Sequence, residues 1–386
     1  MNQKNFERKT LGPLLTLKKG KKPRFQSPTK EKGMLPYVDI KAFETGVVDN
    51  YTDDNKCVPC EDGDLLIVCD GSRSGYVGRA INGYTGSTLA KISAEGVDNS
   101  YLYYFIQSMY RLLNTQMKGT GTPHLNVDVL RKAELVIPSL KEQKRIVNKI
   151  EELFSELDSA VETLKKAKEQ LAVYRQSVLK EAFEDLQQET TLDQCIVEKP
   201  RNGYSEKAVE YETKYKNLTL TATTSGFFKE DCFKYIDNNI DDDSYLWVKK
   251  NDILIQRANT LEYVGTSVVY TGEDNKYVYP DLIMKCRAKS EFLPHFLVYQ
   301  LQSLNCRKYF REHATGTAGS MPKINQKVVC SVPIKIANKN IQQKIVQNIN
   351  AQFKACENIE KTVNDALIQA DAMRQSILKT AFEGEL

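Results

Sequence analysis

Apolar residues recur every seven positions, alternately four and three apart, in two long stretches of the chain. In the first, Ile146, Leu153, Ala160, Ala167 and Tyr174 share one heptad position, and Ile150, Leu157, Leu164, Leu171 and Val178 share the complementary one. This spacing, held over about five heptads, predicts a coiled-coil helix rather than the wider apolar stripe of a globular surface helix. The second stretch keeps the register, with Ile345, Gln352, Ile359, Ala366 and Met373 against Ile349, Cys356, Val363, Ala370 and Ile377. Its glutamine, cysteine and alanines make a thinner seam. Neither stretch holds Pro or Gly before Gly384, so nothing obliges either helix to break. At about 1.5 Å per residue, some 45 residues make a rod of roughly 65–70 Å. Amphipathic bundle helices are the competing reading; the length and fixed register argue against it.

The two stretches are copies. Gln143 to Glu184 aligns without a gap on Gln342 to Glu383 at a constant offset of 199: Arg175-Gln176-Ser177 returns as Arg374-Gln375-Ser376, and Ala182-Phe183-Glu184 as Ala381-Phe382-Glu383. Each copy closes one half of the chain.

Before each helix the pattern shifts to short apolar runs punctuated by Gly and Asp, which predicts strands and turns. Tyr37–Ile40, Asp64–Cys69 and Leu135–Pro138 read as strands, and Leu102–Leu113 as an aromatic-rich helix. Between them, Asp70–Arg79 reads as a polar, basic, flexible loop, and Lys118-Gly119-Thr120-Gly121-Thr122-Pro123-His124 as a glycine-rich one whose backbone can approach a ligand closely. The second half repeats the plan loosely. Lys250–Ile255 matches Asp62–Ile67, Val264-Gly265 matches Val77-Gly78, and Pro322–Asn325 matches Pro123–Asn126. Val332-Pro333 is matched with Ile137-Pro138, leaving an insertion of about four residues near Ile334–Lys339, before the second helix. The stretch Tyr211–Asp243 has no partner in the first half, and its Asp241–Asp243 run belongs away from any phosphate. The fold class is therefore α+β, with mixed domains at 1–138 and 187–337 and helices at 139–186 and 338–386, a pseudo-two-fold internal repeat.

A net charge of +4 and a pI near 8.4 suit nucleic-acid binding without requiring it. Five cations within Lys18–Arg24 suit a phosphate backbone, a solvated loop being the alternative. No long apolar run and no charged-then-apolar leader pattern occurs, so a cytoplasmic protein is expected. Nine cysteines without framework spacing read as reduced thiols. Cys57 and Cys60 lack a second ligand pair at suitable spacing, so no metal is expected. There is no Walker motif, His-Glu-x-x-His, nucleophile elbow or Asp/Asn-Pro-Pro-aromatic methyltransferase motif, and only three histidines. The chain reads as a recogniser or scaffold, not an enzyme.

Ile137-Pro138-Ser139-Leu140-Lys141-Glu142-Gln143-Lys144-Arg145-Ile146-Val147, with Tyr174-Arg175-Gln176-Ser177-Val178-Leu179-Lys180 and Ala182-Phe183-Glu184, resembles the specificity subunit of type I restriction–modification systems. The second copy repeats this signature. The resemblance implies two target-recognition domains, each reading one half of an interrupted double-stranded DNA target, on an antiparallel coiled coil that sets their spacing. It implies docking of two methyltransferase subunits and of restriction subunits, no membrane, and no cofactor in this chain, with S-adenosylmethionine and ATP/Mg held by the partners. On chemistry, the DNA-binding residues expected in the first domain are Lys21, Lys22, Arg24, Arg73, Arg79, Lys118, Thr120 and Thr122. In the second they are Arg201, Gln256, Arg257, Thr317, Ser320 and Lys323. A coiled-coil adaptor that binds proteins without reading DNA is the alternative.

Overall fold

The structure, a computed structural model, describes residues 8–119, 121–316 and 321–385. The chain divides into two compact units, Met1–Lys165 with Asn364–Leu386, and Lys166–Val363.

The first unit begins with β1 (Arg8–Thr10), β2 (Leu15–Lys19), β3 (Leu35–Val38), α1 (Ile40–Thr45), β4 (Tyr51–Thr52), β5 (Pro59–Cys60) and β6 (Leu65–Val68). It continues with β7 (Val77–Arg79), β8 (Gly83–Thr85), β9 (Leu89–Ala94), α2 (Asn99–Thr115), α3 (Val127–Lys132), β10 (Glu134–Val136) and the start of α4 (Leu140–Glu184). A four-stranded sheet of order β2-β9-β6-β7 forms its middle layer. Strand β6 is apolar at all four positions because both its faces are covered. Leu65 and Ile67 join the core made with α2 and α4. Leu66 and Val68 join a smaller core under the sheet β4-β3-β8-β5. Asp98 caps α2 by accepting from the amides of Ser100 and Tyr101.

The second unit follows with β11 (Glu189–Thr191), α5 (Leu192–Cys195), β12 (Arg201–Asn202), β13 (Tyr215–Leu218), α6 (Thr221–Thr224), β14 (Phe233–Ile236) and β15 (Asp252–Gln256). Then come β16 (Ser267–Val269), β17 (Ile283–Arg287), α7 (Pro294–Leu301), α8 (Leu304–Glu312), α9 (Gln326–Cys330), β18 (Pro333–Lys335) and α10 (Lys339–Glu383), whose end returns to the first unit. Its central sheet, β12-β17-β15-β16, repeats β2-β9-β6-β7 strand for strand.

Within each unit the two long helices run antiparallel. In the first, Arg374 pairs with Asp158 and stacks on Phe154, while Phe382 packs edge-on against Tyr101 and Phe105. In the second, Arg175 pairs with Glu360 at 3.0 Å, the Tyr174 hydroxyl donates to Gln352, and Phe183 packs on Phe296. The seam is narrower than the heptads predict. Along α10 the row Ile349, Cys356, Val363 and Ala370 is buried, but Ile359 and Met373 of the complementary row are half exposed. One facing helix covers a single row. Beside the heads, Phe154, Leu179, Phe353 and Leu378 widen it into an ordinary amphipathic stripe.

Each helix is also pinned at its start by the first residue of the repeat. Gln143 is fully buried: its Oε1 accepts from the Asp98 amide at 2.7 Å, and its Nε2 donates to the carbonyls of Gly96 and Pro138 at 3.0 and 2.9 Å. Gln342 does the same with the Leu293 amide (2.8 Å) and the carbonyls of Glu291 (3.0 Å) and Ala337 (2.8 Å).

Four sequence expectations need correction. Val77–Arg79 is a strand rather than loop, because the turn before it closes tightly around Gly75. The partner of Gly265 is Gly75, not Gly78: the amides of both bond the carbonyl ending the central strand, Val68 in one unit and Gln256 in the other. The Cβ of any other residue would lie 2.7 Å from Leu113 or 2.4 Å from Phe310. The four-residue insertion before the second helix disappears, since Leu11 bonds the Ala133 carbonyl as Leu192 bonds that of Val332, keeping the offset of 199 through both edge sheets. Tyr211–Asp243 does have a counterpart. Its β13 pairs antiparallel with β14 and, through Asn217, parallel with Val278, as β3 pairs with β4 and β8. One real difference is that α2 is a single helix, whereas the second unit breaks it at Gln302–Ser303, where Ser303 caps α8.

Candidate nucleic-acid interface

In the first unit, β6 delivers the chain from the core to a turn, Asp70–Gly75. The buried Ser74 hydroxyl donates to the Gly71 carbonyl at 2.8 Å, and the Asn114 amide holds the carbonyls of Ser72 and Ser74 from beneath. The glycine-rich loop is lashed beside it. Leu125 N bonds Cys69 O at 2.7 Å, Gly71 N bonds Pro123 O at 2.8 Å, and Lys118 and His124 exchange amide–carbonyl bonds at 2.8 and 2.7 Å. Gly119 and residues 121–123 thus lie at the tip of a hairpin standing next to the turn. At its base, Asp70 accepts from Lys19 (2.9 Å) and from Nδ1 of His124 (2.7 Å). Burial pushes the Asp70 carboxyl up, but these two bonds outweigh it and hold the group below its ordinary range.

The second unit builds the same pair of loops. Ile324 N bonds Arg257 O at 2.9 Å, Thr315 and Lys323 exchange bonds at 2.8 and 2.9 Å, and Ala258 faces Lys323 where Asp70 faces His124. Here the buried Arg307 supports the turn, donating to the carbonyls of Glu262 and Val264 at 2.6 Å; burial lowers its pKa to about 10. Arg201 lies 3.5 Å above the ring of Tyr245, and the two line an open groove of about 440 Å³ with Arg257, Asn325 and Gln326.

Of the expected DNA-binding residues, the structure gathers Arg73, Lys118 and Thr122 on the first loop pair, and Arg201, Arg257 and Lys323 around the second. Arg73 is tied to Glu44 at 2.6 Å over the ring of Tyr76, and Lys118 to Asp128 at 2.7 Å. Lys21 and Lys22 are exposed, two and three residues beyond Lys19. Arg24 is committed to the fold, with its side chain and amide gripping Asp54 at 2.9–3.1 Å. Arg79 sits at the other end of the sheet, bonded to Ser100 Oγ at 2.9 Å. Gln256 does not belong to the surface. It is fully buried, its Nε2 bonded to Leu220 O, Thr223 Oγ1 and Thr224 Oγ1, because it ends a strand covered on both faces. Thr120, Thr317 and Ser320 lie outside the described residues.

Beside these residues the structure also places Lys19, Asp70 and His124 in the first unit and Asn202, Tyr245 and Gln326 in the second, which sequence reasoning did not single out individually. The offset of 199 already placed His124 on Lys323; what it lacked was the loop brought against them. Among the described residues no group of His, Cys, Asp or Glu could hold a metal ion, and no helix is long and apolar enough to cross a membrane. The thiols of Cys57 and Cys60 instead donate to the carbonyls of Lys21 and Ile81.

A family model described as the type I restriction modification DNA specificity domain matches residues 3–171 and again 196–369. The specificity subunit of the MjaVIII type I restriction enzyme of Methanocaldococcus jannaschii is 27% identical over 176 residues, covering 45% of this chain and 40% of that protein. The EcoKI specificity subunit of Escherichia coli is 26% identical over 269 residues, covering 65% and 57%. The chain thus spans about half the length of these curated relatives. Among solved structures, a chain from a study of type I restriction–modification complex assembly and conformational transition shares the fold over its full length, with a TM-score of 0.75 at 16% identity. The HsdS subunit of Thermoanaerobacter tengcongensis aligns over 99% of this chain and 98% of its own, with a TM-score of 0.53 at 16% identity.

Proposed function

We propose, from the premise that this chain belongs to the type I restriction modification DNA specificity family, that each unit reads one half of a bipartite double-stranded DNA target through its paired loops. The observation that carries the reading is that two units of one plan present different exposed side chains at one backbone position. A shared scaffold with divergent tips is what two unlike half-sites require. Cations there contact phosphates, and the side chains between them reach base edges in the major groove.

The long helices, 45 residues each and so roughly 68 Å, would set the gap between half-sites, about two turns of B-DNA. Their uncovered apolar residues, Val173, Ile359, Ile368 and Met373, suit docking of methyltransferase subunits. Adenine methylation with S-adenosylmethionine, and ATP/Mg-dependent cleavage by restriction subunits, would then belong to the partners, and this chain would supply recognition alone.

The test is to combine the chain with its methyltransferase partner and map which adenines become modified. Exchanging residues 1–138 for those of a relative should change one half-site and leave the other half-site and the gap alone. Both half-sites changing together refutes the modular reading. DNA binding that does not weaken steeply with salt favours the protein-binding adaptor instead.

A further inference from the structure

One position distinguishes the two units in a chemically directed way. His124 and Lys323 occupy the same place: each exchanges backbone bonds across its hairpin, and each lies directly before the residue that bonds the first residue beyond the central strand. Asp70 faces the histidine and Ala258 the lysine. The third member changes with them. Lys19 pairs with Ala90, opposite Ile67, while Asn202 pairs with Met284, opposite Ile255, so the two are equivalent. The first unit thus carries Lys19, Asp70 and His124 where the second carries Asn202, Ala258 and Lys323.

The three replacements are mutually consistent. Where the hairpin carries an imidazole, a carboxylate grips its Nδ1 at 2.7 Å and an ammonium 2.9 Å away offsets the carboxylate. Where the hairpin carries an amine, carboxylate and counter-ion are both absent. An ionised Asp70 can only accept, so Nδ1 of His124 is the donor, and in the neutral ring Nε2 is left as an acceptor. Lys323 can only donate, and its ammonium has no partner among the described residues.

We infer that His124, oriented by Asp70, is a specificity-determining residue of the first unit, accepting at Nε2 from an exocyclic amino group of cytosine or adenine, whereas Lys323 at the same place donates to guanine. This rests on the DNA-reading function proposed above. In the major groove cytosine N4 and adenine N6 are the donors, and guanine O6 and N7 form the acceptor pair that lysine matches. Asp70 is a positioning residue in this scheme, since it acts only through the imidazole.

The test uses the full chain with its methyltransferase partner and mapped modification sites. The double substitution Asp70→Ala/His124→Lys transplants the second unit's pair into the first. One base pair of one half-site should turn to guanine, with the other half-site and the gap unchanged. Asp70→Asn, close in shape, frees the imidazole to take the other tautomer, so discrimination at that base pair should fall about tenfold while affinity for unrelated DNA stays constant. If the double variant modifies nothing, Asp70→Asn decides alone. Wild-type base preference in either variant that still methylates overturns the inference but leaves the functional reading intact. A wild-type complex without salt-sensitive DNA binding overturns the functional reading itself. A uniform loss of affinity with no change in base preference places His124 on a phosphate and likewise overturns the inference.

Discussion

Replacing Gln342 with leucine isolates what the buried amide contributes to seating a head on its helix. The two side chains are similar in size and in helix propensity, so the change removes hydrogen bonds and little else. Three backbone groups lose their partner: the Leu293 amide and the carbonyls of Glu291 and Ala337, bonded at 2.8, 3.0 and 2.8 Å. The amide site is 1% exposed, so water cannot replace those bonds without opening the helix start. At about 1 kcal/mol for each bond, the second unit should lose roughly 3 kcal/mol. Its unfolding is separately observable because the only tryptophan, Trp247, lies buried within it. With a urea dependence of about 2 kcal/mol/M, the Trp247 fluorescence midpoint should fall by about 1.5 M. Gln343→Leu is the control, on the exposed neighbouring position, with an expected change within about 0.5 kcal/mol. Equal midpoints for the two variants would refute the view that this glutamine fastens the head.

Phe382→Ala withdraws a ring held 5.1 Å from Tyr101 and 5.4 Å from Phe105; a loss of about 3–5 kcal/mol should appear in thermal unfolding followed by circular dichroism. Gly203→Ala would bring a Cβ to 2.0 Å from the Tyr279 carbonyl oxygen, and Gly20→Ala to 2.1 Å from that of Gly86. Backbone cannot yield as a side chain can, so each should cost about 1–3 kcal/mol, measured by urea titration. The hydrogen bond from Arg24 holds the Asp54 carboxyl well below its ordinary 3.8, so its folded pKa is depressed. The stability this supplies is complete above about pH 4 and is lost as pH falls through the folded value. Arg24→Met should therefore flatten the acid limb of a stability–pH curve without changing its neutral plateau's dependence on pH. Eight of the nine free thiols are buried, Cys232 being the exception, so a thiol reagent should titrate one cysteine quickly in the native chain and all nine after unfolding.

The long helices were legible because their stabilising pattern is local: a heptad can be read along a single strand of text, and the duplicated register placed Gln143 on Gln342. The heads were less so, since their sheets join residues far apart. Gln256 reads as an exposed polar residue ending an apolar run, yet its acceptors come from Leu220 to Thr224, more than thirty positions away. Arg24 reads as one of a basic cluster, but its carboxylate partner is thirty residues on. The counterpart of Tyr211–Asp243 was hidden for a related reason. Pairing between β13 and β14 is fixed by backbone bonds and register, which different side chains satisfy equally well, so the architecture persisted while the letters diverged.

The same separation explains how one scaffold can carry two unlike tips. What seats a head is side-chain chemistry that admits little change: a buried glutamine with all its bonds made and a phenylalanine among aromatic rings, repeated in both halves. What holds the hairpin beside the turn is mostly backbone: Leu125 to Cys69 and Lys118 to His124 in one unit, Ile324 to Arg257 and Thr315 to Lys323 in the other. A backbone bond is indifferent to the side chain above it. Exposed residues at the tip can therefore be exchanged with little effect on folding, typically within about 0.5 kcal/mol, while the donors and acceptors they present change completely. On the function proposed above, folding and recognition are thus carried by different atoms, and a new half-site would be acquired at the loops without rebuilding the helices that hold them.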